Sequence, residues 1–149
     1  MRRRDVLAQG GATVTSVVLG GSAAMAQSGF FVPPEEDKHE RTFMQWPVNR
    51  RVYRDSGFLE ETQTTIAEIA NAIADFEPVT MLAAAEDHGQ ARAQLSSNVE
   101  LWDIPTEDLW CRDAGPIFLV DDAGGMAVNH IQFIGWGNKQ VHRRDGQIA

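Results

Sequence analysis

The chain reads as an α/β protein, and three observations predict it. A helical apolar period runs through residues 58–76, where Ile66, Ile69, Ala70 and Ile73 fall at i, i+3, i+4 and i+7. Short stretches of strand character flank it: Thr42–Trp46 before and Val79–Ala83 after. A second pair, a helix over Glu86–Leu95 and a strand over Val99–Ile104, repeats the alternation. This spacing does not choose among α/β topologies.

In chain order, Met1–Ala26 stands apart. Arg2-Arg3-Arg4-Asp5-Val6-Leu7 is a basic start, Gly10–Ala24 is weakly apolar, and Ala24-Met25-Ala26 is a small-residue cleavage site before Gln27. Residues 1–26 therefore read as a secretory leader and 27–149 as the rest. The consecutive arginines point to twin-arginine export, so the expected location is periplasmic or extracellular. The apolar part is too short and Gly-rich for a lasting membrane anchor. Ser28–Arg41 is an exposed lead-in, Gly/Phe/Pro-rich and then almost wholly charged. Pro47 stops the first strand, whose Trp46 is a core candidate. On the long helix Glu60, Glu61, Gln63, Glu68 and Asn71 are positioned for water, and Glu77-Pro78 ends it. Val79–Ala83 reads as buried. Gly89 weakens the second helix. In the next strand Val99, Leu101 and Asp103 share a face. Pro116–Val120 and Met126–Phe133 form a hairpin around Asp121–Gly125.

A length of 149 residues and 43% hydrophobic residues suit one ordinary domain. The net charge of −8 and pI near 4.9 argue against nucleic acid and anionic membranes as partners, and suit cationic small molecules. Loss of the leader removes three Arg and Asp5, which takes the net charge to −10. Cys111 is the lone cysteine, so no intramolecular disulfide forms. As a nucleophile it is unsuited, because Asp108 and Asp113 raise a neighbouring thiol's pKa; it reads as a small packing residue. Neither C-x-x-C nor H-E-x-x-H occurs, His88, His130 and His142 are scattered, and no phosphate loop is present. No metal or cofactor is expected.

The densest chemistry lies at residues 104–116. Glu107, Asp108, Arg112 and Asp113 surround Trp110 within seven residues, and Gly115-Pro116 leads into an apolar run, Ile117–Val120, that reads as a buried strand. Carboxylates beside an aromatic face suit a cationic planar ligand, with bidentate hydrogen bonds at its rim and a ring against its face. The bland alternative is a solvated acidic turn with one Arg–Asp pair.

Trp110-Cys111-Arg112-Asp113-Ala114-Gly115-Pro116 resembles the Trp-x-Arg-Asp-x-Gly-Pro signature of the agmatine deiminase and bacterial peptidylarginine deiminase family. His39-Glu40-Arg41-Thr42-Phe43-Met44-Gln45-Trp46-Pro47 upstream and Phe133-Ile134-Gly135-Trp136-Gly137-Asn138-Lys139 downstream match the same family in order. The resemblance covers Phe30–Ala149. It implies a pentein fold, a pseudo-fivefold α/β propeller of ββαβ modules, of which this chain holds roughly the first two. It also implies an N-terminal portion of a longer enzyme, whose open edges leave apolar surface exposed.

The implied activity is hydrolysis of a guanidinium group: agmatine and water to N-carbamoylputrescine and ammonia, through a Cys thiouronium intermediate. The implied partner is a small cationic guanidino substrate, and a homo-oligomer is left open. Asp113 would bind the guanidinium and Trp110 would wall the pocket; Asp145 and Trp136 are further candidates. The nucleophilic Cys and its His are expected beyond Ala149, so no catalytic residue is assigned within this chain. Arg112 is expected to orient Asp113 or pair Asp108, and Glu107 has no matched role. Ile134 stands where agmatine deiminases commonly carry Asn, which opens the substrate question. The alternatives are a peptidylarginine deiminase, which export suits, and a non-catalytic remnant or binding module.

Overall fold

A computed structural model describes residues 29–38 and 40–149. The expected leader Met1–Ala26, its expected cleavage site and His39 lie outside the described residues.

The main sheet has three parallel strands in the order β1 (Thr42–Gln45), β2 (Val79–Ala83) and β3 (Val99–Asp103). Met44 lies opposite Met81, and Met81 opposite Leu101. Parallel neighbours need crossover connections. The first is α1 (Ser56–Ile73); the second is a 3-10 turn (Ala85–Asp87) running into α2 (His88–Arg92). Every residue of β2 is buried, as expected of a central strand covered on both faces. The core gathers Trp46, Ala67, Ala70, Val79, Met81, Ala83, Ala91, Leu95 and Val99. Trp46 is thus a core residue, as the sequence suggested.

Helix α1 begins at the Asp55 cap, whose side chain accepts from Phe58 N at 2.7 Å. It ends at Ile73, short of Phe76, which is 91% exposed. Its buried stripe is Leu59, Gln63, Ala67 and Ala70, with Ile66 and Ile73 half-buried and Ile69 exposed. Gln63 was expected in water. It is buried because its amide Nε2 donates to the Pro47 carbonyl at 2.8 Å and its Oε1 accepts from Gln90 at 3.0 Å. Ala67 and Ala70 let the helix approach the sheet closely.

The second helix is shorter than the expected 86–95 span. Arg92 then turns back onto the Ser96 and Val99 carbonyls at 2.7 and 2.8 Å and closes the turn. On β3, Val99 is buried and Leu101 half-buried, but Asp103 is exposed and accepts from Ala85 N at 2.8 Å.

Beyond this sheet α3 (Cys111–Ala114) precedes an antiparallel hairpin of β4 (Ile117–Val120) and β5 (Met126–Asn129). Asp121 Oδ1 accepts from Ala123 N and Gly125 N at 2.9 and 2.6 Å, and Gly124 supplies the left-handed residue at φ 81°. The expectation of a buried β4 fails. Its residues are half-buried or exposed, because a two-stranded hairpin leaves one face uncovered. Phe118, Met126 and Val128 all reach solvent. Among the described residues the strands form an open sheet and a hairpin, not a closed ring. No described helix is long and apolar enough to cross a membrane.

Candidate functional site

The chain leaves β3 and is pinned at once to the end of β1: Thr106 Oγ1 donates to the Trp46 carbonyl at 2.6 Å. The next two residues turn inward. Glu107 is 6% exposed; its carboxylate accepts from Asn49 Nδ2 at 3.0 Å and Arg144 N at 3.1 Å. Asp108 is 2% exposed and accepts from the Tyr53 hydroxyl, the Gln140 amide and Leu109 N. Burial, and then the bond to Asp108, push the Tyr53 hydroxyl far above its usual range. Glu107 and Asp108 are therefore not part of a solvated acidic turn. Nor can Glu107 serve as an indifferent neighbour of Asp113, since it holds two backbone segments together.

Asp145 completes this strip. It is 1% exposed, and its carboxylate accepts from Glu107 N at 2.7 Å, Gln45 Nε2 at 3.0 Å and Asp108 N at 3.1 Å. Burial and the nearby charges of Glu107 and Asp108 raise its pKa to about 6, against the backbone hydrogen bonds, which lower it. It is not a solvated charge beside Arg143 and Arg144, and three protein donors already occupy its oxygens. Gln45 spends its amide hydrogens on Asp145 and the Asp108 carbonyl, which leaves its Oε1 buried without a partner among the described residues.

Past Asp108 the chain turns outward. Trp110 and Asp113 are both exposed. Gly115 ends the turn where a Cβ would lie 2.5 Å from the Cys111 carbonyl oxygen. Opposite stands a left-handed turn in which Gly135, Trp136, Gly137 and Asn138 have φ of 57°, 51°, 80° and 62°. This conformation is unfavourable for Trp, and a bulky residue at positive φ marks stored backbone strain. The turn delivers the Trp136 indole so that Nε1 donates to Asp113 Oδ1 at 3.3 Å. Trp110 and Trp136 meet edge to face with centroids 5.7 Å apart, and Phe133 backs Trp136 at 5.1 Å.

The structure thus brings three of the four sequence candidates together: the exposed Asp113 carboxylate accepts from the Trp136 indole, and Trp110 packs edge to face on that indole. Asp145 lies beneath them as a staple. Arg112 does not meet Asp113 or Asp108: Asp108 is turned inward, Asp113 faces Trp136, and the guanidinium pairs Glu35 of the lead-in. Cys111 is half-buried, and burial together with the Asp145 charge pushes its thiol up to about 12, consistent with a packing residue. Among the described residues no His/Cys/Asp/Glu group could hold a metal ion. Sequence reading missed Gln45, Tyr53 and Gln140 as the donors that hold the strip. The one available signal was polar Gln45 between Met44 and Trp46 at the end of the first strand.

The model of the Porphyromonas-type peptidyl-arginine deiminase family matches residues 31–149. An agmatine deiminase of Stutzerimonas stutzeri is 39% identical over 129 residues, covering 83% of this chain and 34% of that protein. One from Pseudomonas aeruginosa is 38% identical over 127 residues, covering 81% and 34%. The chain therefore spans about a third of the length of these curated relatives. Among solved structures, agmatine deiminase of Enterococcus faecalis superposes with a TM-score of 0.70 at 25% identity, over 81% of this chain and 34% of that one. A C. jejuni agmatine deiminase solved with substrate bound gives 0.65 at 25% identity, over 78% and 34%.

Proposed function

The chain belongs to the Porphyromonas-type peptidyl-arginine deiminase family, and from that premise we propose that the intact protein hydrolyses a guanidinium group, with agmatine as the first substrate to test. One observation carries the reading: an exposed carboxylate, Asp113, accepts from the Trp136 indole, which itself packs edge to face on Trp110. A guanidinium is planar and permanently cationic, so it gains both bidentate hydrogen bonds from the carboxylate and a face against a ring. Its resonance resists nucleophiles, and the reaction needs a thiolate. The thiolate would add to the guanidinium carbon and ammonia would leave; water would then displace the sulfur, giving a urea. On this reading Cys111, whose thiol is pushed up to about 12, is not that thiolate, and the nucleophile and proton-transfer groups would come from outside residues 1–149. The open sheet and hairpin are, on this reading, modules of a pentein propeller.

The leader favours a second reading, an exported enzyme acting on arginine in polypeptides. Ammonia release by the intact protein from agmatine and from an arginyl peptide separates the two, and release from neither would end both. The residue test is Asp113→Asn. Loss of a matched carboxylate from a buried guanidinium costs about 2–5 kcal/mol. At ~1.4 kcal/mol per tenfold, kcat/KM falls by more than an order of magnitude while the melting temperature holds. Normal turnover with a lowered melting temperature would make Asp113 a structural residue.

A further inference from the structure

Ten Lys and Arg lie downstream of the leader, and six of them line two adjoining cavities that share Arg51 and Val141. The first cavity, about 660 Å³, is walled by Arg50, Arg51, Arg54, Lys139 and Gln140 and has no carboxylate in its lining. Among the described residues Arg51, Arg54 and Lys139 make no ion pair. Four like charges gathered without a counter-charge repel one another. That they do so in a chain of net charge −8, with 21 acidic residues to spend, calls for an occupant.

The walls are built rather than loose. Asn49 anchors the arginine turn: its side chain accepts from Arg51 N at 2.8 Å, its carbonyl accepts from Tyr53 N at 2.8 Å, and its amide donates to Glu107. Arg50 is oriented by donating to the Arg54 carbonyl at 2.9 Å. The facing wall is held through the Gln140 amide on Asp108. Both walls thus hang from the buried strip, whose carboxylates face inward and leave cations as the only charged groups lining the groove. The adjoining cavity differs: Glu107 lines it, and Arg144 pairs Glu86 at 3.6 Å.

We propose that the Arg50–Arg51–Arg54–Lys139 cavity binds a small soluble anion carrying two or more phosphate groups. Guanidinium forks and an ammonium match phosphate oxygens, and the volume suits a small molecule. The acidic chain repels anions at range, so only a multivalent anion that gains several short contacts is held. The site does not depend on the deiminase reading.

Isothermal titration of the chain with tripolyphosphate, at a fixed salt of about 150 mM, tests it. Saturable one-to-one binding is expected. Arg51→Gln and Lys139→Gln should each weaken it several-fold, and together at least tenfold. Lys38→Gln should leave it unchanged, and Lys139→Arg should retain it. Exposed single charges cost little stability, and far-UV circular dichroism verifies each variant's fold. Absence of saturable binding, equal affinity in the double variant, or equal displacement by sodium chloride at matched ionic strength would overturn the proposal. So would capture by phosphatidic acid vesicles without tripolyphosphate binding, which would place the phosphate on a lipid.

Discussion

Glu107 and Asp113 belong to one charged stretch, yet they do opposite work. Glu107, with Asp108 and Asp145, faces inward and is saturated with protein donors. Asp113 faces outward and accepts one long bond from Trp136, whose ring Trp110 meets edge to face. Buried carboxylates of this kind are structural because every lone pair that matters is spent on the fold. An exposed carboxylate with an aromatic wall keeps its lone pairs for a ligand. Charge density in a sequence therefore locates a region of interest without saying which of its charges is available.

The largest effect expected from breaking this division is at Asp145. Asp145→Leu leaves the amides of Glu107 and Asp108 without their acceptor and takes one of the two acceptors of the Gln45 amide. At about 1–3 kcal/mol per buried unsatisfied group, unfolding free energy should fall by roughly 3–5 kcal/mol, read by urea denaturation. Asp113→Asn in the same assay should move it by less than ~0.5 kcal/mol. Equal losses would erase the distinction.

The pH dependence sharpens it. Asp145 has a folded pKa of about 6, above the ordinary 3.8, so the native state binds more protons than the unfolded state between those values. Its contribution to stability is therefore greatest at the acid end, falls as pH rises through that window, and is level above it. Asp145→Asn should flatten that part of the profile, measured by thermal melts across the window. An unchanged slope would assign the titration elsewhere.

Gly135→Ala comes next. Residue 135 has φ 57°, and a Cβ there would sit 2.5 Å from the Gln140 carbonyl oxygen. The variant should lose about 1–2 kcal/mol and shift the Trp136 indole, read by tryptophan fluorescence. A stable variant with unchanged fluorescence would mean that the left-handed turn does not hold Trp136. The smallest effect belongs to Asp55→Ala, whose carboxylate caps α1 and bonds none of the carboxylate-strip or Asp113 groups. Loss of the helix cap should cost about 1 kcal/mol by denaturation and leave guanidino binding untouched.

Periodicity and punctuation were enough to read the strand–helix–strand order, Val79–Ala83 as a buried strand, Trp46 as core and the hairpin turn. Those features arise from local rules, and three ordered motifs placed the chain in its family. Tertiary structure decided what local rules cannot reach. Gln63 went inside because the Pro47 carbonyl, 16 residues away, needed a donor. Ile69 stayed partly outside because Ala67 and Ala70 formed the closer face against the sheet. Arg112 pairs Glu35 because Asp108 is turned inward and Asp113 faces Trp136. Asp145 became a buried staple because Gln45, 100 residues upstream, and the 107–108 backbone converge on it. A sequence states which groups can carry charge and donate hydrogen bonds; only the folded chain settles which donors reach which acceptors, and so which carboxylate is left for a ligand.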